Sequence, residues 1–275
     1  MSNDSNTGFA IPPQPKNVLE INSLLDKGSS GSAQIASLVS KDASLTAQVL
    51  KTVSSPAFLG RSVDSVPYAL NAMGLRNFKA IVLKAALQQV FSASKDPFLE
   101  SFWRHSELVA ESCASVAKHC RQDTAQSAYM AGLFHDCAMP LMAMRFKDYP
   151  AFFKQGFGQE GDAFREEERR YSISHCALGY LFARAWNLPQ PVCLAIRHHH
   201  DAKLPSLPEF PAAESLVAIV AVGHYLADYF DPAGKATRPA PPEDWAKAHG
   251  ESVGALGLVP DDLHDLGEAL FMAAA

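Results

Sequence analysis

Apolar residues in this chain recur at helical intervals, and runs in which apolar and polar residues alternate are almost absent. Leu45, Val49 and Val53 stand four residues apart, on one face of a helix that Asp42 is placed to cap. A half-buried strand needs period-two alternation with β-branched enrichment. With so little of it, no sheet is expected, and the fold class is all-α.

The punctuation fits helices. Ser54-Ser55-Pro56 closes the Asp42 helix, and Ser65 with Pro67 opens the next, since proline is tolerated in a first turn. Gly74 breaks that helix, and a further stretch runs from about Phe78 to Phe91. Helical patterns resume over about 98–119, 124–138, 172–186, 190–200 and 212–229. Residues 1–15, polar and carrying Pro12, Pro13 and Pro15, read as a flexible tail. Ser94-Lys95-Asp96-Pro97 marks a boundary between an N-terminal helical subdomain, 16–95, and a second one, 96–230. Residues 231–275 read as a linker, with Pro232, Gly234, Pro239, Pro241 and Pro242, and then one or two short helices, the last opened by Pro260-Asp261-Asp262.

Composition narrows the function classes. With 275 residues, 48% of them hydrophobic, the chain can bury one large core or two smaller ones. Its 24 Lys+Arg against 29 Asp+Glu give a net charge of -5, and its basic residues, such as Arg104, Lys118, Arg121, Arg169 and Arg170, are scattered. Nucleic-acid binding needs a basic patch, so no nucleic acid is expected as a partner. Cys113, Cys120, Cys137, Cys176 and Cys193 form no C-x-x-C pair and are odd in number. They read as small buried apolar residues in a reducing, cytoplasmic compartment. The N-terminus MSNDSNTGFA has no signal-peptide character, and no run approaches the roughly 18 apolar residues of a membrane span, so no membrane association is expected. No organic cofactor is expected.

The histidines carry the chemical information. Of ten, His105, His135, His175, His199, His200 and His224 mostly share the apolar faces of their helices, while His119, His249 and His264 read as surface positions. One histidine on an apolar face is usually a core residue bonded to a carbonyl. Several together are harder to satisfy, because each buried ring needs partners for two nitrogens. A divalent cation partners several at once, and histidine with carboxylate suits iron, manganese, nickel or zinc, as one or two ions. His135 and Asp136 are adjacent, and neighbours on a helix point about 100° apart. Both reach one metal only near a helix end, and Pro140 is expected to stop the helix soon after.

Gly132-Leu133-Phe134-His135-Asp136 resembles the signature of the HD superfamily of metal-dependent phosphohydrolases, whose ligand order is a histidine, then His-Asp, then a late aspartate. His105 in Phe-Trp-Arg-His-Ser-Glu-Leu-Val-Ala is similar to the first-histidine helix. His175 in Ile-Ser-His-Cys-Ala-Leu-Gly, Trp186-Asn187-Leu188-Pro189, and Arg197-His198-His199-His200-Asp201 follow in an order similar to the HDOD family (HD-related output domain) and its HD-GYP relatives. Ile35, Asp42, Leu45, Val49-Leu50, Ser54-Ser55, Phe58, Ser65, Ala69 and Met73-Gly74 resemble the opening half of HDOD. The resemblance covers about residues 12–230 and implies an HD-like helical bundle with an N-terminal helical subdomain. It implies metal ligation by His105, His135, Asp136, His175, His199, His200 and His224.

Three departures bear on activity. Met139 stands where the superfamily's enzymes often carry lysine, no Gly-Tyr-Pro follows His199-His200, and His224 takes the place of the late aspartate, lowering the negative charge there. The expected function is therefore a non-catalytic regulatory domain that acts through a protein partner or senses a ligand or metal. No receiver, kinase or cyclase module is recognised in the chain, so a signalling protein is expected in trans. The alternative is a metal-dependent phosphohydrolase acting on a small phosphorylated ligand. There Asp136 would bridge the metals, and Arg197 or Lys203 would steady the phosphate.

Overall fold

The computed structural model describes residues 8–26, 32–54, 59–91, 97–122, 124–156, 162–201, 203–231 and 239–271. Every regular element among them is an α-helix. None is long and apolar enough to cross a membrane. The chain divides into two compact units, Pro12–Lys95 and Met1–Ile11 with Asp96–Ala275. Ser55, Pro56, Phe58, Ser94-Lys95-Asp96 and residues 232–238 lie outside the described residues.

The unit Pro12–Lys95 holds α1 (Lys16–Asp26), α2 (Ser32–Ser40), α3 (Ala43–Ser54) and α4 (Val66–Phe91). Asp42 caps α3, its Oδ1 accepting from the Leu45 N–H at 3.0 Å. Its Oδ2 accepts from Asn17 Nδ2 at 2.9 Å, so one carboxylate both starts α3 and ties it to α1. Leu45, Val49 and Val53 are buried, as their spacing requires. Gly74 has φ 72° and ψ 162°, a left-handed conformation that glycine adopts without a Cβ clash. It kinks α4, which then continues to Phe91. Residues 12–15, read from the sequence as part of a tail, carry the buried Gln14, whose Oε1 accepts from Asn22 Nδ2 at 3.1 Å.

The second unit holds α5 (Pro97–His119), α6 (Ala125–Phe134), α7 (Met139–Arg145), α8 (Tyr149–Gly156), α9 (Asp162–Tyr171), α10 (His175–Ala185), α11 (Gln190–His198), α12 (Pro211–Phe230), α13 (Pro242–Ala248), α14 (Gly250–Ala255) and α15 (Pro260–Phe271). Close backbone approach on both sides of α5 sets its centre. A Cβ on Gly132 of α6 would lie 2.9 Å from Ala110 Cα, and one on Gly223 of α12 would lie 2.9 Å from Cys113 N. Only glycine lets α6 and α12 come this near, and each carries a histidine just beyond its glycine.

Pro140 does not stop a helix. α6 has already ended at Phe134, and Pro140 sits in the first turn of α7, where its missing N–H costs nothing. Residues 139–171, from which no helix is expected by pattern, hold α7, α8 and α9. All three are short, so tertiary packing rather than propensity decides them. Phe146, Tyr149, Phe152 and Tyr171 form one aromatic cluster there, with ring centroids 4.6–6.2 Å apart. Beyond residue 241 there are three short helices rather than one or two, and α14 and α15 pack on α12.

Candidate metal centre

Three helix ends and two helix faces bring the seven side chains singled out above into one continuous cluster. His105 lies on α5 and His224 on α12. His135 is the C-cap of α6 and His199 the C-cap of α11, with Asp136 and His200 one residue further on. His175 is the first residue of α10, behind the N-cap Ser174, whose Oγ accepts from the Ala177 N–H at 3.3 Å. The donors fall into two adjoining sets. Asp136, His175, His199 and His200 offer atoms within 4.8 Å of one another, as do His105, His135 and His224. The His-Asp pair straddles the sets, with His135 Nε2 3.0 Å from Asp136 Oδ2. Asp136 thereby faces both sets, Oδ2 towards His135 and Oδ1 towards His175 and His199.

Three imidazoles are held by their Nδ1 atoms. His135 Nδ1 donates to the Gly132 carbonyl at 2.7 Å, and His199 Nδ1 to the Ile196 carbonyl at 2.8 Å. His175 Nδ1 pairs with Glu167 Oε2 at 2.7 Å, and the same oxygen accepts from the His175 backbone N–H at 3.0 Å. Each ring therefore turns Nε2 towards Asp136. Oδ1 lies 3.3 Å from Nε2 of both His175 and His199. Yet His135 Nε2 and Asp136 Oδ1, both buried, have no hydrogen-bond partner of acceptable angle. Short separations with poor angles mean that these atoms converge on common space rather than pair with one another. Donors that share a divalent ion at about 2.1 Å stand roughly 3–4 Å apart. The residues present fit such an ion, and the occupied Nδ1 atoms are the outer contacts that orient metal-ligating histidines.

The electrostatics separate the groups of the cluster into charged and neutral ones. Burial by itself would raise the Asp136 carboxyl, but the rings of His135, His199 and His175 hold it well below the usual carboxylate range. Burial would lower His199, but Cys176 and Asp136 push it up to about 10. His175 is likewise raised against its burial, by Cys176 and Glu167. Burial and the neighbouring His199 and His175 hold His200 well below its ordinary value, which leaves a neutral ring suited to ligation.

Sequence reasoning did not single out three neighbours. Glu167 is fully buried and, besides holding His175, accepts from the Tyr149 hydroxyl at 2.6 Å. Nothing in the run Arg165-Glu166-Glu167-Glu168 marks it as the inward residue. Asp228 lies one turn beyond His224, with Oδ2 3.7 Å from His224 Nε2 and Oδ1 3.8 Å from His105 Nδ1. It returns the carboxylate that His224 was expected to cost, and the His-x-x-x-Asp spacing was a legible signal. Cys176 was read as a small apolar residue, but its Sγ lies 3.3 Å from His175 Nε2. Arg197 is half-buried and Lys203 exposed, and neither makes a hydrogen bond or ion pair with the cluster among the described residues.

A family profile described as the HDOD domain matches residues 11–202. An HDOD domain protein of unknown function from Geobacter sulfurreducens superposes with a TM-score of 0.70 at 23% identity, covering 96% of this chain and 94% of its own. A candidate phosphohydrolase from Shewanella amazonensis gives 0.68 at 19% identity, covering 94% and 89%. A candidate signal transduction protein from Marinobacter aquaeolei gives 0.67 at 18%, covering 100% of this chain and 60% of that one. At these identities the likeness shows a shared helical fold. No curated protein sequence matches the chain.

Proposed function

We propose that this chain, which belongs to the HDOD domain family, is a regulatory module that holds a divalent metal in its His–Asp cluster and acts on a signalling protein in trans. One contrast carries this reading. The ligand cluster is assembled, but three residues after Asp136 stands Met139, apolar and 1% exposed. A thioether gives developing phosphoryl charge no positive partner. The similarity to a protein described as a signal transduction protein agrees with it.

The chain's own residues would do the following. Asp136 turns one oxygen towards each set, so it is the natural bridge. The Gly132 and Ile196 carbonyls and Glu167 fix which ring nitrogens face the ion. Burial of His135, Asp136, His175 and His199 keeps water from competing for them. A divalent ion bound there would polarise phosphoryl oxygens and acidify water.

That chemistry supports a second reading, a phosphohydrolase, on one observation. The set of His105 and His224, each 18% exposed at the side chain, faces solvent where a small phosphate ester could approach. Metal analysis of the purified chain with a phosphomonoester and phosphodiester screen, cyclic di-GMP included, separates the two. The expected result is bound metal, lost in His135→Ala, and no turnover above that variant. Turnover above the variant overturns the regulatory reading in favour of the hydrolase, and a chain that binds no metal overturns both.

A further inference from the structure

Glu167 Oε2 carries both contacts of His175, to ring Nδ1 at 2.7 Å and to the backbone N–H at 3.0 Å. A glutamate carboxyl turns easily about its last torsion, whose minima are broad. Such a turn would carry Oε2 away from both donors at once. The other oxygen is anchored. Oε1 accepts from the Tyr149 hydroxyl at 2.6 Å, and Tyr149, Glu167 and His175 are each 0% exposed. Tyr149 is the first residue of α8, and its ring packs edge-on to Phe98 and Tyr171, with centroids 6.3 and 5.5 Å away. The neighbouring Glu168 accepts from Ser174 Oγ at 3.1 Å, so two adjacent glutamates of α9 meet two adjacent residues at the start of α10.

We infer that Tyr149 is a positioning residue for the metal ligand His175: its hydroxyl fixes the plane of the Glu167 carboxylate, and that plane fixes where His175 Nε2 points. The inference rests on the reading that the cluster binds a cation. Phenylalanine would fill the same space, as Phe146 and Phe152 do in the same cluster, so the hydroxyl is the part that packing leaves unexplained. Its bond to Oε1 links α8 to α9, and Oε2 links α9 to α10. His175 Nε2 lies across the ring from Nδ1 and 3.3 Å from Asp136 Oδ1. A turn of the carboxylate that drags Nδ1 therefore swings Nε2 relative to Asp136. Outer contacts of a ligating histidine change metal affinity by about 10–100-fold. A hydrogen bond one step further out should act at the low end of that range, about tenfold.

The test compares Tyr149→Phe, which keeps the ring and removes the hydroxyl, with Phe152→Leu, which disturbs the same cluster and leaves the hydroxyl in place. Two quantities are read on the full chain: zinc affinity, by competition with a chelator, and the His175 Nδ1–H proton resonance, in nuclear magnetic resonance spectra of histidine-labelled protein. Tyr149→Phe should bind zinc about tenfold more weakly and move that resonance. Phe152→Leu should lose stability and change neither. The zinc losses of Tyr149→Phe and Glu167→Gln should be less than additive when combined, because one acts through the other. An unchanged affinity and resonance in Tyr149→Phe, an equal loss of affinity in Phe152→Leu, or strict additivity with Glu167→Gln would each overturn the inference. If the wild-type chain binds no zinc, the reading of the cluster as a metal site falls, and the resonance alone decides whether Tyr149 positions His175. Should Tyr149→Phe fail to fold, the wild-type chain decides: a slowly exchanging tyrosine hydroxyl proton with an Overhauser contact to His175 Nδ1–H is required, and its absence refutes the inference.

Discussion

Glu167→Ala removes a carboxylate that three buried donors share: the Tyr149 hydroxyl at 2.6 Å, His175 Nδ1 at 2.7 Å and the His175 backbone N–H at 3.0 Å. Alanine fills none of these roles, and a fully enclosed site leaves little room for water to do so. Each buried donor left without a partner costs about 1–3 kcal/mol. Breaking a buried charged pair costs about 3–5 kcal/mol by itself, and the Glu167–His175 pair is one of those three contacts. The two routes overlap, so the loss should be about 3–6 kcal/mol, a large part of the stability of about 5–15 kcal/mol typical of a folded protein. Glu167→Gln keeps one carbonyl acceptor and should lose less, about 1–3 kcal/mol. Urea denaturation of the metal-free chain, at constant m-value, measures both. A zinc titration of Glu167→Gln should show an affinity about 10–100-fold weaker, because His175 is no longer oriented or made more basic by a carboxylate. A loss below about 1 kcal/mol in Glu167→Ala would refute the claim that this carboxylate holds the site together.

Two further outcomes follow from packing and charge. Gly223→Ala should cost about 1–3 kcal/mol, because its Cβ would lie 2.9 Å from Cys113 N and push α12, with His224, away from α5. Gly254→Ala, with open space around its Cβ, serves as the near-neutral control, and equal denaturation midpoints for the two would refute the close-approach argument. In the metal-free chain His199 is raised from 6.5 to about 10, so its contribution to stability is complete below pH 6.5 and disappears as pH rises through about 10. The melting temperature of metal-free protein should therefore fall across that interval. Metal affinity should rise over it, since ligation must displace those protons. A metal-free melting temperature that is flat from pH 6.5 to 10 would refute this assignment.

The helical class was legible in the sequence because it rests on local, periodic information, and the residues of the cluster were legible from apolar-face histidines together with an order that resembles the HD superfamily. Asp42 with Leu45, Val49 and Val53 specifies a capped amphipathic helix within a dozen residues, and its cap and buried face are where that pattern puts them. The histidines were legible because an imidazole on an apolar face needs partners the core rarely offers. What the sequence could not decide was which polar groups meet. Glu166, Glu167 and Glu168 are the same residue three times over, and only the packing of α9 against the Tyr149–Tyr171 aromatic cluster selects the middle one to hold His175. Cys176 looks like Cys113, Cys137 and Cys193 until the end of α11 brings His199 beside it. Pro140 is compatible with ending one helix or opening the next, and the choice turned on α6 having already stopped at Phe134. A hydrophobic period records which face is buried, a one-dimensional property. The partner of a buried charge is set by which helices cross and how closely, and here that closeness depends on two glycines, Gly132 and Gly223, lying against one turn of α5.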